Sequence, residues 1–219
     1  MRKIVLTTLV AMFASNISFA DEIRVSANGT VDFKGTTLSA QEEVREGLDN
    51  IDVTKSPTYR HTEIGVSKSV GIVDVGVVLR NANSAGAEAN RVAVTGTTSH
   101  ALLGLDLTNR VQVQNGINDA NLLDVELGTV VVREMLTASK AVALLGKELT
   151  LTVGDEIFLD ETGLTENRVF AGASIGVCEG VSLGAGYFLK SEGALIDTSG
   201  NTGTPANSHV VTAGVSLSF

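Results

Sequence analysis

Tryptophan is absent from this 219-residue chain, and cysteine occurs once, as Cys178. One cysteine excludes a disulfide framework and a structural zinc site built on thiolates. Only two prolines and nine aromatic residues are present, seven Phe and two Tyr. Basic residues are in deficit, 16 Lys and Arg against 25 Asp and Glu, for a formal charge of −9. That balance argues against a nucleic-acid partner, which needs clustered cations to meet phosphates. It argues equally against docking on an anionic membrane surface. Beyond the first twenty residues no stretch approaches the roughly 18 to 20 consecutive apolar residues of a membrane-spanning helix.

What is abundant is small and aliphatic. Hydrophobic residues make up 43% of the chain, charged residues 19%, and glycine numbers 23. Such a composition is incompatible with a disordered chain. Residues 1–20 read as a secretory signal peptide: Arg2 and Lys3, an apolar run from Ile4 to Ala14, then Ser18-Phe19-Ala20 before Asp21. No cysteine follows the run, so a lipid anchor is not expected. Export predicts residues 21–219 as the folded unit.

From Glu22 onward the hydrophobic period is two. Leu103, Leu105, Leu107, Val111 and Val113 share one face, while Asp106, Arg110, Gln112 and Gln114 share the other. Val211, Ala213, Val215, Leu217 and Phe219 alternate with Thr212, Gly214, Ser216 and Ser218. Similar alternation runs through Leu149–Val153, Arg168–Val177 and Val181–Lys190. It is rougher over Ile23–Phe33, Tyr59–Val70, Ile72–Arg80, Arg91–Ser99 and Leu122–Arg133. This predicts about ten strands, with eight or twelve as alternatives, most of about 9 to 13 residues. A tilted strand needs about 9 to 11 residues to cross a bilayer, whereas strands of soluble proteins average about 5 to 6.

The fold expected is therefore all-β, an antiparallel up-and-down transmembrane barrel. Its polar faces carry Arg24, Glu63, Asp74, Arg80, Asp106, Arg110, Asp124, Glu126, Glu156, Arg168 and Lys190. All but Arg24 are taken here as the lumen-lining set, with opposite charges able to pair. Tight turns are expected at Val70-Gly71, near Ser99 and at Cys178–Gly180. Longer external loops are expected at Asn81–Asn90, Asn115–Asn121, Asp160–Glu166 and Glu192–Ser208. With ten strands both termini fall on the tight-turn side, and Ala138–Lys147 reads as a loop there, or as a helical turn or plug. Tyr59, Tyr187 and Phe219 are the aromatics expected on the outer wall. Asp155 and Asn109 fall on that wall too, and a bulge at Gly154 would turn Asp155 inward. Lys68 and Arg133 are expected near the short-turn ends, reaching along the wall to water.

The closing SHVVTAGVSLSF, ending in Phe219, resembles the C-terminal strand of bacterial outer-membrane β-barrels. That resemblance implies an assembly signal at Phe219, read by the barrel-assembly machinery, with outer-membrane lipid as surroundings. LTNRVQVQ (107–114), GDEIFL (154–159), TENRVFAGASIGV (165–177) and GAGYFLKS (184–191) resemble segments of an uncharacterised family of small outer-membrane barrels, a domain of unknown function. No site residues come with that family.

Chemistry is sparse. His61 and Glu63 share a polar face with Ser67 and Ser69, but nothing places a nucleophile beside a base. Acidic pairs such as Asp155-Glu156 and Asp160-Glu161 lack the alternation of a cation loop. The glycines of Gly172, Gly176, Gly184 and Gly186 lack the strand–turn–helix setting of a phosphate loop. No catalytic residue, cofactor or metal is therefore expected. The function expected is a barrel of the Gram-negative outer membrane, either structural or a narrow pore for small polar solutes or ions. The alternative is a secreted β-sandwich of the pilus-subunit type, suggested by GTVDFKG at Gly29–Gly35.

Overall fold

A computed structural model describes residues 20–47, 59–84, 87–117, 127–144 and 147–219. The export signal read over residues 1–20 lies outside these, save Ala20. Asp124 and Glu126 also lie outside the described residues. Eleven strands follow one another: β1 (Glu22–Phe33), β2 (Thr36–Gly47), β3 (Tyr59–Val70), β4 (Val73–Ser84), β5 (Ala87–Leu102), β6 (Leu105–Ile117), β7 (Leu127–Leu144), β8 (Lys147–Asp160), β9 (Gly163–Cys178), β10 (Val181–Asp197) and β11 (Ala206–Ser218). Each pairs antiparallel with the next. β1 then pairs with β11 in parallel, closing one sheet into a barrel. Two packed sheets are not present, so the β-sandwich alternative does not describe the fold.

The alternation explains the closure. β-Branched and aliphatic side chains at every second position give each strand one apolar and one polar face. The register sets these faces side by side. Val31, Leu38, Val66, Val77, Val94, Val113, Val132 and Leu159 are successive cross-strand partners from β1 to β8. Such a row stabilises the sheet pair by pair. It lies on the outside, where Val31, Leu38, Val66, Val77, Val94 and Val113 are exposed. Pro205, the described proline, stands just before β11, where no ladder donor is needed.

One end of the barrel carries tight turns: Lys34-Gly35, Gly71-Ile72, Leu103-Gly104 and Glu179-Gly180. At Leu103 (φ 54°) and Gly104 (φ 76°), both central residues adopt the left-handed conformation that a type I′ hairpin requires. Leucine is poorly suited to it, because its Cβ crowds the following carbonyl. Leu103→Asn is accordingly expected to stabilise the folded barrel by about 1 kcal/mol. A urea midpoint no higher than that of the parent would show that this turn stores no strain.

Six expectations need correction. Eleven strands fit the expected range, but the odd number puts the start of β1 at the loop end and the finish of β11 at the turn end, not both on the tight-turn side. β2 was not anticipated. Its outward residues are Thr36, Leu38, Ala40, Glu42, Val44 and Glu46, so the apolar face gives out halfway along. Ala138–Lys147 is neither loop nor helix; through Leu144 it is strand β7, whose alanines fit either face and so conceal the alternation. The loops expected at Asn81–Asn90 and Asp160–Glu166 are largely strand, with Asn81 and Asn90 direct partners, while the one expected at Glu192–Ser208 is present but shortened to residues 198–205. The turn expected near Ser99 comes later, at Leu103-Gly104.

Finally, Gly154 carries no bulge. Gly154 and Asp155 pair in continuous register with Phe170 and Val169, and the shift in this pair of strands comes at Phe158/Leu159. Asp155 stays on the outer wall, where Asn167 donates to it at 2.6 Å. Asn109, also outside, donates to Glu134 at 3.2 Å.

Candidate functional site: an arginine-lined lumen

The inward positions divide the lumen by height. Toward the turn end the wall is Ser26, Asn28, Thr152, Gly172, Ser174, Ser182, Gly184, Gly186, Thr212, Gly214 and Ser216, around spaces of about 410 and 360 Å³. These small side chains leave the lumen wide. Toward the loop end lies a space of about 490 Å³ of a different character. Arg24, Arg45, Arg80, Arg91, Arg110, Arg133 and Arg168 line it, seven of the nine arginines of the chain, each from a different strand. Glu43, Glu63 and Glu166 line it with them.

Register brings the charges to one level. Arg110, Met135, Glu156, Arg168 and Lys190 are successive cross-strand partners, and Gln112, Arg133, Phe158 and Glu166 form the adjacent row. Glu156 is the hub. It accepts from Arg133 at 2.7 Å, from Arg168 at 3.3 Å and from Arg110 at 3.4 Å. Its side chain is 7% exposed and that of Arg133 9%. On the opposite wall Arg80 donates to Glu63, and Arg45 donates to Glu43 at 2.5 Å. Arg24 bonds Glu22, and Arg168 also bonds Glu166.

Aromatic rings separate the guanidinium groups. Arg24 lies over Phe188 at 4.6 Å, Arg168 over Phe188 at 5.7 Å and over Phe158 at 4.4 Å, and Arg133 over Phe158 at 4.7 Å. The order Arg24–Phe188–Arg168–Phe158–Arg133 is a continuous cation–π ladder along the wall. The quadrupole of each ring face attracts the cations on both sides and holds them apart. Phe170 has room because its cross-strand partner is Gly154, where a Cβ would collide with the ring and with the Leu136 carbonyl.

Among the sequence-selected residues, Glu63, Arg80, Arg110 and Arg168 line this space, and Glu156 is buried behind it. Lys190, the cross-strand partner of Arg168, does not line it and pairs with Glu192 at 2.9 Å. Asp74 and Asp106 lie near the turn end, away from the ring. Asp74 accepts from Ser69 at 2.5 Å. Arg133 is a correction: it points into the lumen rather than along the outer wall. The run Val130-Val131-Val132 carries no alternation and so gave no phase for the residue that follows. Lys68 is exposed on the outer wall near the end of β3. Tyr59 is inside as well, with Arg45 over its ring at 4.2 Å and His61 edge-on. Tyr187 stacks on His209. Phe219 is exposed at the turn end, its N–H donating to the Thr30 carbonyl at 3.0 Å.

His61 is buried between Glu43 and Glu63, each 3.7 Å from a ring nitrogen. Ser67, six residues along the same extended strand, is roughly 20 Å from it. No serine–histidine pair forms there. Arg45 and Glu43 were not selected from the sequence because β2 was not anticipated, and Arg133 because the valines before it gave no phase; Arg91 stands at the very start of the segment read as a strand.

These features define a class, a closed eleven-stranded β-barrel with an arginine-lined lumen. No family model and no curated protein matches the sequence. Among solved structures, a bacterial polysaccharide outer membrane secretin aligns with 81% of this chain and 73% of its own, at 10% identity and a TM-score of 0.44.

Proposed function

We propose that this protein is an integral outer-membrane barrel whose lumen is a narrow, side-chain-constricted passage for small polar solutes or ions. One observation carries the reading, the aliphatic outer wall. Val31, Leu38, Ile64, Val66, Val75, Val77, Leu79, Val94, Val111, Val113, Leu151, Val153 and Val169 are all exposed. Soluble monomers rarely expose contiguous apolar patches above a few hundred Å². Lipid is the surrounding that makes such a wall stable, and strands of 12 to 18 residues are long enough to cross it. Polar pairs stand where the aliphatic wall ends toward the loops: Glu42–Arg60 at 2.5 Å, Asn81–Asn90 at 2.8 Å and Ser191–Asn207 at 2.7 Å. The resemblance of the last strand to outer-membrane barrels supports the same location, with the assembly machinery as partner. No catalytic chemistry is part of the proposal.

The test is fractionation. The protein should stay with membranes through carbonate or urea washing and migrate faster unheated than heated on a gel; release into the soluble fraction rejects the membrane reading. A second measurement addresses the wall itself. Val77 is flanked by Val66 and Val94. Val77→Lys should cost about 2–4 kcal/mol in lipid vesicles, as a charge does near mid-bilayer. A wall facing water would lose no more than about 0.5 kcal/mol.

A further inference from the structure

Arginine is distributed very unevenly in this molecule. The chain as a whole is acidic, yet seven of its nine arginines face one space of about 490 Å³ with three glutamates. Glu156, buried behind the ring, leaves the level with a surplus of positive charge. Two pairs of arginines are direct cross-strand partners, Arg24 with Arg45 and Arg80 with Arg91. Like charges placed opposite one another destabilise a sheet, so stability alone does not account for them. Moreover, Arg24 Nη2 and Arg133 Nε are buried with no hydrogen-bond acceptor. Buried donors of this kind cost free energy until an acceptor reaches them.

We propose that the arginine ring is a binding site for a small solute bearing phosphate or several carboxylates. The planar guanidinium fork matches both groups, two N–H donors to two oxygens, and stays charged at any physiological pH. Cations are repelled by the surplus, and neutral sugars cannot answer it. The enclosed volume is in the range of small-molecule sites, which sets the size of the ligand to that of a phosphorylated sugar or a tricarboxylate rather than a polymer. Enclosed by the barrel wall and the phenylalanine rings, each contact is screened less than on an open surface. The glutamates have a part in this: by pairing with Arg80, Arg45 and Arg168 they fix those side chains in place before a solute arrives. This deepens the reading of the lumen as a passage, since a weak site at the constriction selects what enters.

The experiment is calorimetric titration of the barrel folded in detergent micelles, at low ionic strength. Inorganic phosphate, citrate and glucose are the probes. At least one of the two anions should bind with a dissociation constant of about 1 mM or lower. Heat with phosphate alone assigns a phosphate ester, and heat with citrate alone a polycarboxylate. Arg91→Gln and Arg110→Gln should each weaken binding about tenfold, the loss of a charge-assisted contact, while Arg60→Gln on the outer wall should change nothing. Arg91→Gln leaves the contacts of Glu156 untouched and Arg110→Gln removes only the longest of the three, at 3.4 Å; faster migration of the unheated sample verifies that each is folded. Absence of heat with both anions, equal heat with glucose, or equal weakening by Arg60→Gln overturns the site. The two readings fail separately. A protein that washes off membranes yet binds anions keeps the site and loses the membrane, and one that stays in membranes and binds no anion does the reverse.

Discussion

Glu156→Ala should cost the barrel about 3–5 kcal/mol, the loss that follows when one partner of a buried ion pair is removed. Three guanidinium groups converge on this carboxylate. Without it Arg133, held beneath the ring of Phe158, keeps its charge and loses the nearest counter-charge. Arg110 and Arg168 then repel it at short range. Replacing Glu166 should cost far less, because Glu166 bonds Arg168 alone and water reaches it more readily. Glu156→Gln separates charge from shape: it preserves volume and one acceptor, so a loss close to that of alanine identifies charge as the cause. Urea unfolding in lipid vesicles measures all three. A penalty below about 1 kcal/mol for Glu156→Ala would mean that solvent in the lumen substitutes for the carboxylate, and that the hub is not buried in the energetic sense.

The second large effect concerns the ladder. Phe158 is 8% exposed and lies between Arg133 and Arg168. Phe158→Ala should lose about 3–5 kcal/mol by removing buried ring surface. The cation–π contacts of both arginines are lost with it. It should also alter the lumen. Phe158 lines the charged space itself, so without the ring that space widens at this point of the wall. In planar bilayers the variant should show larger conductance steps than the parent. Phe158→Leu, which keeps bulk without a π face, should hold conductance near the parent while lowering stability. Unchanged conductance in the alanine variant would place the constriction elsewhere along the lumen.

Much of this architecture was legible in the period of two. Ten of the eleven strands announced themselves because outward-facing and lumen-facing residues cannot exchange places without moving a charge into the aliphatic wall. The strand that escaped, Thr36–Gly47, has Glu42 and Glu46 on its outer face above the wall, where no apolar residue is required. Arg133 escaped for the opposite reason, three valines in a row before it. The ring itself was not readable at all. Arg24 and Arg45 meet because the hairpin at Lys34-Gly35 fixes their register, and Arg80 meets Arg91 through a hairpin at the other end. A turn shifted by two residues would keep every arginine inward and yet put them at different depths. Parity belongs to a single strand, whereas height belongs to the whole series of turns. The scarcity of aromatics sharpened too: Tyr59, Phe158, Phe170 and Phe188 are spent inside, which leaves even fewer for the outer wall.

The parallel seam between β1 and β11 has a consequence for how the molecule is made. Every other pairing joins neighbours along the chain and forms by local zipping. The seam joins Asp21 to His209, whose backbone groups bond at 2.7 Å across 188 positions of sequence. Contacts so distant in sequence carry the largest loop-closure entropy and form slowly. A seam that closes last would leave, until then, a curled ribbon with two bare edges, each a template for another strand. Until those edges meet the arginines have no enclosure, and the same act that seals the wall creates the chamber.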